Sequence, residues 1–287
     1  MDWLNNRAGY SHVSAVFSQT EVDYFRSQTI ATLQNGMTAP LTPMYCKDVD
    51  FILDYAFSGR IVEALRKKFH PSYVMFPDLE VQYNLYGAGK SSSVFSGWHV
   101  DSNSEGAKEY LLRKGYGFAK VGVYFQDNSA VNGGGVDVAP GSHRFPKLGG
   151  LSTRFFLKKV INIIQIVVSS KSVLTQAGDI LIFDSRLQHR SSRFRGRGYA
   201  QTGSIVSYDS EYVNLPTEMS KIVLYFDVAF PESALEFWLN AKRRSSSDHP
   251  SEQAHFSYAK DFVDFSKFKD RAFKAGVATI FDIVGGY

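Results

Sequence analysis

The sequence predicts a mainly β protein with flanking helices and a jelly-roll core. Helical periodicity comes first along the chain, and short β-branched or aromatic runs separated by Gly, Pro, Asn and Ser follow it. This order is typical of two sheet layers with helices packed on one of them. Apolar residues form 44% of the 287 residues and aromatic residues 15%, which is enough for one sizeable core.

Two helices are predicted in the N-terminal region. Residues 18–35 begin with Ser18 as an N-cap, and Glu21 stands three residues later, which is the pattern of a capping box. An apolar stripe with helical spacing follows. Residues 57–69 place apolar side chains such as Ile61 on one face and basic side chains on the opposite face. Both helices should therefore turn one apolar face towards a core.

After these helices the hydrophobic period changes from helical to extended. Six strands are predicted, at residues 79–86, 120–126, 135–139, 179–184, 203–208 and 221–228. A further helix is predicted at residues 232–244, and an amphipathic, Phe-rich stretch follows at residues 252–275.

These elements predict a single domain over residues 1–287. Residues 1–79 are expected to form a helical N-terminal support, residues 80–230 the jelly-roll core, and residues 231–287 a C-terminal helical extension. The sequence contains no internal repeat that would indicate a solenoid or an array.

Composition narrows the class of protein. The net charge of +4 is modest and most basic residues are dispersed, so a nucleic-acid partner is not expected. The single cysteine, Cys46, excludes an intramolecular disulfide and fits a reducing compartment. No signal peptide and no run of 18 apolar residues is recognisable. We therefore expect a cytoplasmic protein without a membrane partner, and the sequence leaves its oligomeric state open.

Two segments about ninety positions apart contain candidate metal ligands. In Gly97-Trp98-His99-Val100-Asp101, the His and the Asp are two residues apart, so an extended strand turns both side chains to the same side. A strongly apolar run beginning at Gly178-Asp179 ends near His189. Two imidazoles and one carboxylate on one face of a metal form the facial triad of non-haem Fe(II) oxygenases, which leaves positions open for a co-substrate and O2.

A third segment lies between these two and contains Gly133-Gly134-Gly135 followed by Pro140-Gly141-Ser142-His143. The order of the three segments resembles the phytanoyl-CoA dioxygenase superfamily of Fe(II)/2-oxoglutarate oxygenases. Members typically show a His-x-Asp, a Gly-rich strand ending in Pro-Gly-Ser-His, and a Gly-Asp strand leading to a distal His. The resemblance covers about residues 80 to 230. It implies a double-stranded β-helix, the cupin-like form of the jelly roll.

The resemblance also implies an activity and a ligand set. His99, Asp101 and His189 would hold Fe(II), and the enzyme would use 2-oxoglutarate and O2 to hydroxylate a small molecule, releasing succinate and CO2. Asp101 favours oxidation over halogenation, because the related halogenases carry a small residue at that position. His143 is not expected to bind metal; its imidazole should instead bond to local backbone.

The anchor for the distal carboxylate of 2-oxoglutarate is less clearly marked. The position that usually carries an Arg in the resembled family is here Ala200. Aligning the next strand of this chain with the Arg-bearing strand of the family places Lys221 at the position of that Arg. Arg197 is closer to the usual spacing from the distal His, but it lies in a Gly-rich stretch that is predicted to be a loop. We favour Lys221, although a lysine makes a point-charge contact and not a bidentate fork. Ser191, two residues after His189, could contribute a hydroxyl that binds the same carboxylate. A purely structural role for Ser191 in a turn is nearly as plausible.

Three alternatives remain open at this point. The chain could be a metal-free binding protein on the same fold, in which Lys221 marks a lost co-substrate site. It could be an oxygenase that acts on a nucleic acid or protein through the basic residues of 190–197. A cupin-type sugar isomerase is more remote because its ligand spacing differs.

The polar residues of 102–118 favour a polar small-molecule substrate over a lipid.

Overall fold

The computed structural model describes residues 6–34, 50–77, 79–85, 98–101, 117–128, 135–144, 164, 166–191, 220–245 and 265–285. The strands in these ranges are β1 (Tyr10–Val13), β2 (Val74–Met75), β3 (Glu80–Leu85), β4 (Phe118–Tyr124), β5 (Val136–Val138), β6 (Lys171–Val173), β7 (Ile180–Asp184), β8 (His189–Ser191), β9 (Ser220–Ala229) and β10 (Ala278–Thr279). The helices are α1 (Gln19–Gln34), α2 (Asp50–Ala56), α3 (Gly59–Lys68), α4 (Pro231–Ser245), α5 (Ser266–Lys274) and α6 (Ile280–Val284).

The strands form two sheets. The larger sheet has the order β1-β7-β4-β9-β2-β10, and β3 also pairs with β9. The smaller sheet has the order β6-β5-β8. Neighbouring strands are antiparallel, except that β10 runs parallel to β2. The predicted class, mainly β with flanking helices, is confirmed.

One face of the larger sheet packs against the helices. Alternate residues of β4, β7 and β9, such as Val121, Ile182 and Leu224, are fully buried and join one cluster with residues of α1, α2, α3 and α5. Phe25 of α1 stacks on Phe125 at the end of β4, with ring centroids 3.8 Å apart and planes at 5°. The helices therefore lie on one side of this sheet, as the sequence predicts.

The opposite face of the larger sheet turns towards the smaller sheet. Leu181 and Phe183 of β7 and Val223 of β9 share a cluster with Val136 and Val138 of β5. The alternation of side chains along each strand thus sends one set of residues to the helices and the other into the space between the two sheets. The same alternation decides which polar residues line that space.

Most of the predicted elements are present in the described ranges. Ser18 and Glu21 form the expected capping box, in which the Ser18 backbone N–H donates to the Glu21 carboxylate at 2.8 Å. Helix α3 begins two residues later than predicted, because the Ser58 side chain accepts from the Ile61 N–H as its N-cap. The predicted strand 203–208 lies outside the described residues, as does much of the predicted stretch at 252–275.

The terminal regions contribute strands as well as helices. The N-terminal strand β1 pairs with β7 from Tyr10 to Val13, and β10 of the C-terminal region pairs with β2. Both are short strands at the edges of the larger sheet, and their patterns are too short to show a period of two. No helix in the described ranges is both long and apolar enough to cross a membrane.

Candidate metal centre

The structure brings His99, Asp101 and His189 together. One ligand atom from each lies within 4.8 Å of the others. Asp101 Oδ1 is 3.7 Å from His99 Nε2 and 3.4 Å from His189 Nε2. A divalent ion holds such atoms about 2 Å away, so ligands at neighbouring positions lie about 3 Å apart. The observed separations are slightly larger, and a small closing movement would fit one ion among the three atoms.

The backbone places the two histidines opposite each other. His99 and His189 form an antiparallel bridge in which each backbone N–H donates to the other residue's carbonyl, both at 2.9 Å. The Asp101 N–H donates to the Ser185 carbonyl at 3.1 Å. Because Asp101 is two residues beyond His99 on extended backbone, its carboxylate lies on the same side as both imidazoles. The two-residue spacing of His99 and Asp101, together with the bridge to His189, thus brings all three side chains to one side.

A hydrogen bond assigns the ring nitrogens of His189. Its Nδ1 lies 2.9 Å from the Leu187 carbonyl, which can only accept, so Nδ1 carries the proton. In the neutral imidazole, Nε2 then carries a lone pair, which faces the Asp101 carboxylate. Two acceptors at this separation repel unless a proton or a cation lies between them. The arrangement suits a metal ligand whose outer nitrogen is fixed by backbone.

The environment keeps Asp101 ionised. Burial pushes the pKa of Asp101 upwards, but the hydrogen bond that it accepts from His189 when Nε2 is also protonated, together with the positive charge of Lys120, outweighs burial, so the pKa lies below its usual value. His189 is buried with its ring against Phe183 at 4.8 Å between centroids, whereas the His99 side chain is 48% exposed. The cluster is therefore enclosed on the His189 side and more open on the His99 side, within the described ranges.

Lys221 points into the space between the two sheets. It lies on β9 opposite Asn84, and alternation places it on the same face as Val223 and Tyr225. Lys221 is buried, and burial lowers its pKa to about 8. No ion-pair partner for it is found among the residues that the structure describes. A buried ammonium is costly unless an anion neutralises it or it loses its proton.

Two tyrosines lie on the same sheet face as Lys221, and one of them, Tyr225, is close enough to Asp101 to be affected by its charge. Tyr225 is directly opposite Gly122 on β4, and the rings of Tyr124 and Tyr225 both lean over that glycine. Burial raises the pKa of Tyr225 to about 12, with a smaller contribution from the charge of Asp101. Both phenols are therefore neutral at physiological pH. The sequence analysis did not single them out, because their position depends on the pairing of β4 with β9.

The remaining predicted residues are placed as follows. Ser191 ends β8 and pairs with Val136 through its backbone, and its side chain lies outside the described set, as does Arg197. His143 is buried and lies apart from the cluster, with its ring over Gly9. His143 does bond to backbone, but its partner is Asn6 of the N-terminal segment and not the local turn, and its Nδ1 has no hydrogen-bond partner. The N-terminal segment therefore covers this imidazole.

One basic residue next to the cluster is not available at the surface. The Arg190 side chain is 11% exposed, and its Nε donates to the Asp137 carboxylate at 3.0 Å. Arg190 therefore cannot belong to a basic contact surface for a macromolecule, as the alternative based on residues 190–197 requires. The other arginines of that stretch lie outside the described residues.

Comparisons with known proteins show a shared fold. No protein-family model matches the chain, and no curated protein matches it. Among solved structures, it is similar to the epimerase SnoN from nogalamycin biosynthesis in complex with Fe3+, alpha ketoglutarate and nogalamycin RO. The identity is 16%, the alignment covers 78% of this chain and 79% of that chain, and the TM-score is 0.51.

A second similar structure is EctD from S. alaskensis with 2-oxoglutarate and 5-hydroxyectoine. Here the identity is 14%, the coverage 79% of this chain and 74% of that chain, and the TM-score 0.51. EctD with bound Fe matches with 15% identity and the same TM-score. These structures hold iron or 2-oxoglutarate on the fold that this chain shares, and this chain has a His-Asp-His cluster.

Proposed function

We propose that this protein is an Fe(II)- and 2-oxoglutarate-dependent oxygenase of the phytanoyl-CoA dioxygenase superfamily, with a double-stranded β-helix core. Its reaction would be the hydroxylation of a small, polar organic substrate. The observation that carries the proposal is the convergence of His99, Asp101 and His189. The similarity in fold to iron- and 2-oxoglutarate-binding structures supports it.

Three side chains would hold the metal. His99 and His189 offer Nε2 and Asp101 offers Oδ1, a set of nitrogen and oxygen donors that suits Fe(II). When bound, iron together with 2-oxoglutarate and O2 would supply the oxidising power, with one oxygen atom passing to the substrate and the other to succinate as CO2 leaves. The protein's part is to fix the three ligand atoms and leave the other positions open.

Lys221 would bind the distal carboxylate of 2-oxoglutarate. At a rise of about 3.3 Å per residue, its Cα lies roughly 13 Å along β9 from that of Tyr225, whose ring is close to the charge of Asp101. A lysine side chain and a five-carbon diacid together can span such a gap. The buried ammonium and the bound carboxylate would neutralise each other, which neither could achieve alone in this space.

The substrate side of the proposal rests on charge. Lys120 and Asp227 face each other across β4 and β9 on the same sheet face as Tyr225, with Lys120 Nζ 3.4 Å from Asp227 Oδ1. Both side chains keep some exposure, at 25% and 17%. A wall with a partly solvated ion pair favours a substrate with hydrogen-bonding groups over a purely lipid one.

Anaerobic titration tests the proposal directly. Fe(II) and then 2-oxoglutarate are added to the purified protein, and the weak metal-to-ligand charge-transfer absorption of the chelated co-substrate is followed. We expect the band to saturate with one Fe(II) and one 2-oxoglutarate per chain. If Fe(II) does not bind at all, the protein is not an iron enzyme. If Fe(II) binds but 2-oxoglutarate gives no band, the co-substrate assignment is wrong.

A further inference from the structure

A row of four side chains crosses the outer face of the smaller sheet. In the pairing of β5 with its neighbours, Asp137 is opposite Arg190 on one side and Ser172 on the other. The bridge between His99 and His189 extends this row, because it places Trp98 opposite Arg190. The row therefore runs Ser172, Asp137, Arg190, Trp98, from the sheet to the segment that carries two of the three candidate ligands.

Each step of the row is a direct contact. Ser172 Oγ donates to Asp137 Oδ1 at 2.6 Å, and Arg190 Nε donates to Asp137 Oδ2 at 3.0 Å. The guanidinium carbon of Arg190 then lies 4.8 Å from the centre of the Trp98 ring, which is a cation–π distance. Asp137 is buried and Arg190 is mostly covered, with side-chain exposures of 7% and 11%. The guanidinium is thus fixed by a carboxylate at one end and covers an indole at the other.

The row and the ligands occupy opposite faces of the same backbone. Trp98 precedes His99, and Arg190 follows His189, so alternation turns the row away from the imidazoles. The imidazoles themselves share the inner face, with ring centroids 4.3 Å apart. No member of the row can therefore contact a metal held by the histidines. Any effect of the row on the metal has to act through the backbone that the two faces share.

We propose that Arg190 is a positioning residue that holds the His99–Asp101 segment against β8 in the geometry required for metal binding. The inference rests on the proposed function, since it concerns the same metal centre. Trp98 is the part of the segment that Arg190 holds, and Asp137 fixes the guanidinium. Without this contact, the segment can rotate about the bridge and carry His99 Nε2 and Asp101 Oδ1 away from His189.

The affinity for a metal ion, measured without turnover, tests whether Arg190 positions the ligands. Co(II) is titrated into the metal-free full-length protein, and its d–d absorption gives both the dissociation constant and the ligand geometry. Arg190→Ala and Trp98→Ala should each weaken Co(II) binding by about 10- to 100-fold, the range found when groups that orient metal ligands are removed. Trp98→Phe keeps an aromatic face and should weaken it less.

A matched control separates positioning from stability. His12 Nε2 lies 2.7 Å from Asp179 Oδ2, with side-chain exposures of 29% and 3%, so His12→Ala also leaves a buried carboxylate without its basic partner. That pair lies at the start of β7, at the opposite end of the strand from Ser185, which holds the Asp101 backbone. His12→Ala should also lower the melting temperature, and it should leave the Co(II) dissociation constant unchanged.

The outcomes distinguish the proposed metal centre from the proposed role of Arg190. If the unaltered protein fails to bind Co(II), the proposed metal centre is wrong and the inference is lost with it. If the unaltered protein binds but a folded Arg190→Ala binds equally well, only the inference is overturned. Equal weakening by His12→Ala would also overturn it, because the effect would then follow stability. Should Arg190→Ala not fold, the same comparison is made with Arg190→Lys and Trp98→Phe.

Discussion

His99 and His189 lie opposite each other in an antiparallel bridge, and each backbone N–H donates to the other residue's carbonyl at 2.9 Å. The bridge joins two segments that are ninety positions apart in the chain. It also fixes the distance between two imidazoles independently of any metal, since their ring centroids are 4.3 Å apart on one face. The site is thus formed by sheet pairing, and a metal would complete it.

Removing any one of the three ligands should abolish tight iron binding. We expect His99→Ala, Asp101→Ala and His189→Ala to remain folded and to lose both Fe(II) binding and 2-oxoglutarate turnover. His143→Ala is the control, because His143 is a buried histidine outside the cluster. It should lose stability and still bind iron. A His189→Ala protein that bound one Fe(II) with unchanged affinity would contradict the assignment.

The second prediction concerns the carboxylate anchor. Removing the charged partner of a buried carboxylate costs on the order of 2–5 kcal/mol. Lys221→Ala should therefore raise the apparent 2-oxoglutarate requirement by tens- to thousands-fold, measured as the concentration that half-saturates the charge-transfer band. Arg197→Ala should change it far less. The reverse ranking would move the anchor to Arg197, and no effect from either variant would show that the pocket does not take 2-oxoglutarate.

Much of this arrangement could be predicted from local sequence. The His99–Asp101 spacing on a strand, and the burial of β9 residues such as Ile222 on one face with Lys221 on the other, both follow from the period of two. The Arg190–Asp137 pair could not be predicted, because it depends on the register between β5 and β8. No local pattern specifies register between strands that are distant in sequence.

The third prediction follows from the buried charge of Lys221. Burial lowers its pKa from 10.5 to about 8, so between these values the unfolded chain binds more protons than the folded chain. The free energy of unfolding should then increase as the pH rises through about 8 to 9.5, below the ordinary titration range of tyrosine. Thermal melting of the metal-free protein across this range measures the slope.

A substitution checks the cause of that slope. Lys221→Met removes the buried charge, so it should raise the melting temperature near neutral pH by a few degrees and flatten the pH dependence. Lys120→Met is the control, because Lys120 is paired with Asp227 and partly exposed. It should not raise the melting temperature. A lower melting temperature for Lys221→Met would mean that the ammonium is stabilised in the folded protein.

The fourth prediction concerns the glycine beneath the two tyrosines. A Cβ at Gly122 would lie 2.9 Å from Tyr225 Cε1 and 3.3 Å from Tyr124 Cε2. Gly122→Ala therefore forces the Tyr225 ring to shift within the space between the sheets. Overpacking of this kind destabilises a protein by about 1–3 kcal/mol. Because Lys221 and the metal ligands border the same space, the shifted ring should also weaken 2-oxoglutarate binding.

Gly59→Ala is the control for that substitution, because a Cβ at Gly59 would meet nothing within 4 Å. Gly59 is the first residue of α3, and alanine there should leave both stability and co-substrate binding intact or improve stability slightly. Calorimetric titration of 2-oxoglutarate into the Co(II)-loaded variants gives the comparison. If Gly122→Ala lowers the melting temperature and binds 2-oxoglutarate like the unaltered protein, the two tyrosines do not border the co-substrate. If both properties change together while Gly59→Ala changes neither, the co-substrate space reaches from the metal ligands across the tyrosine pair towards Lys221.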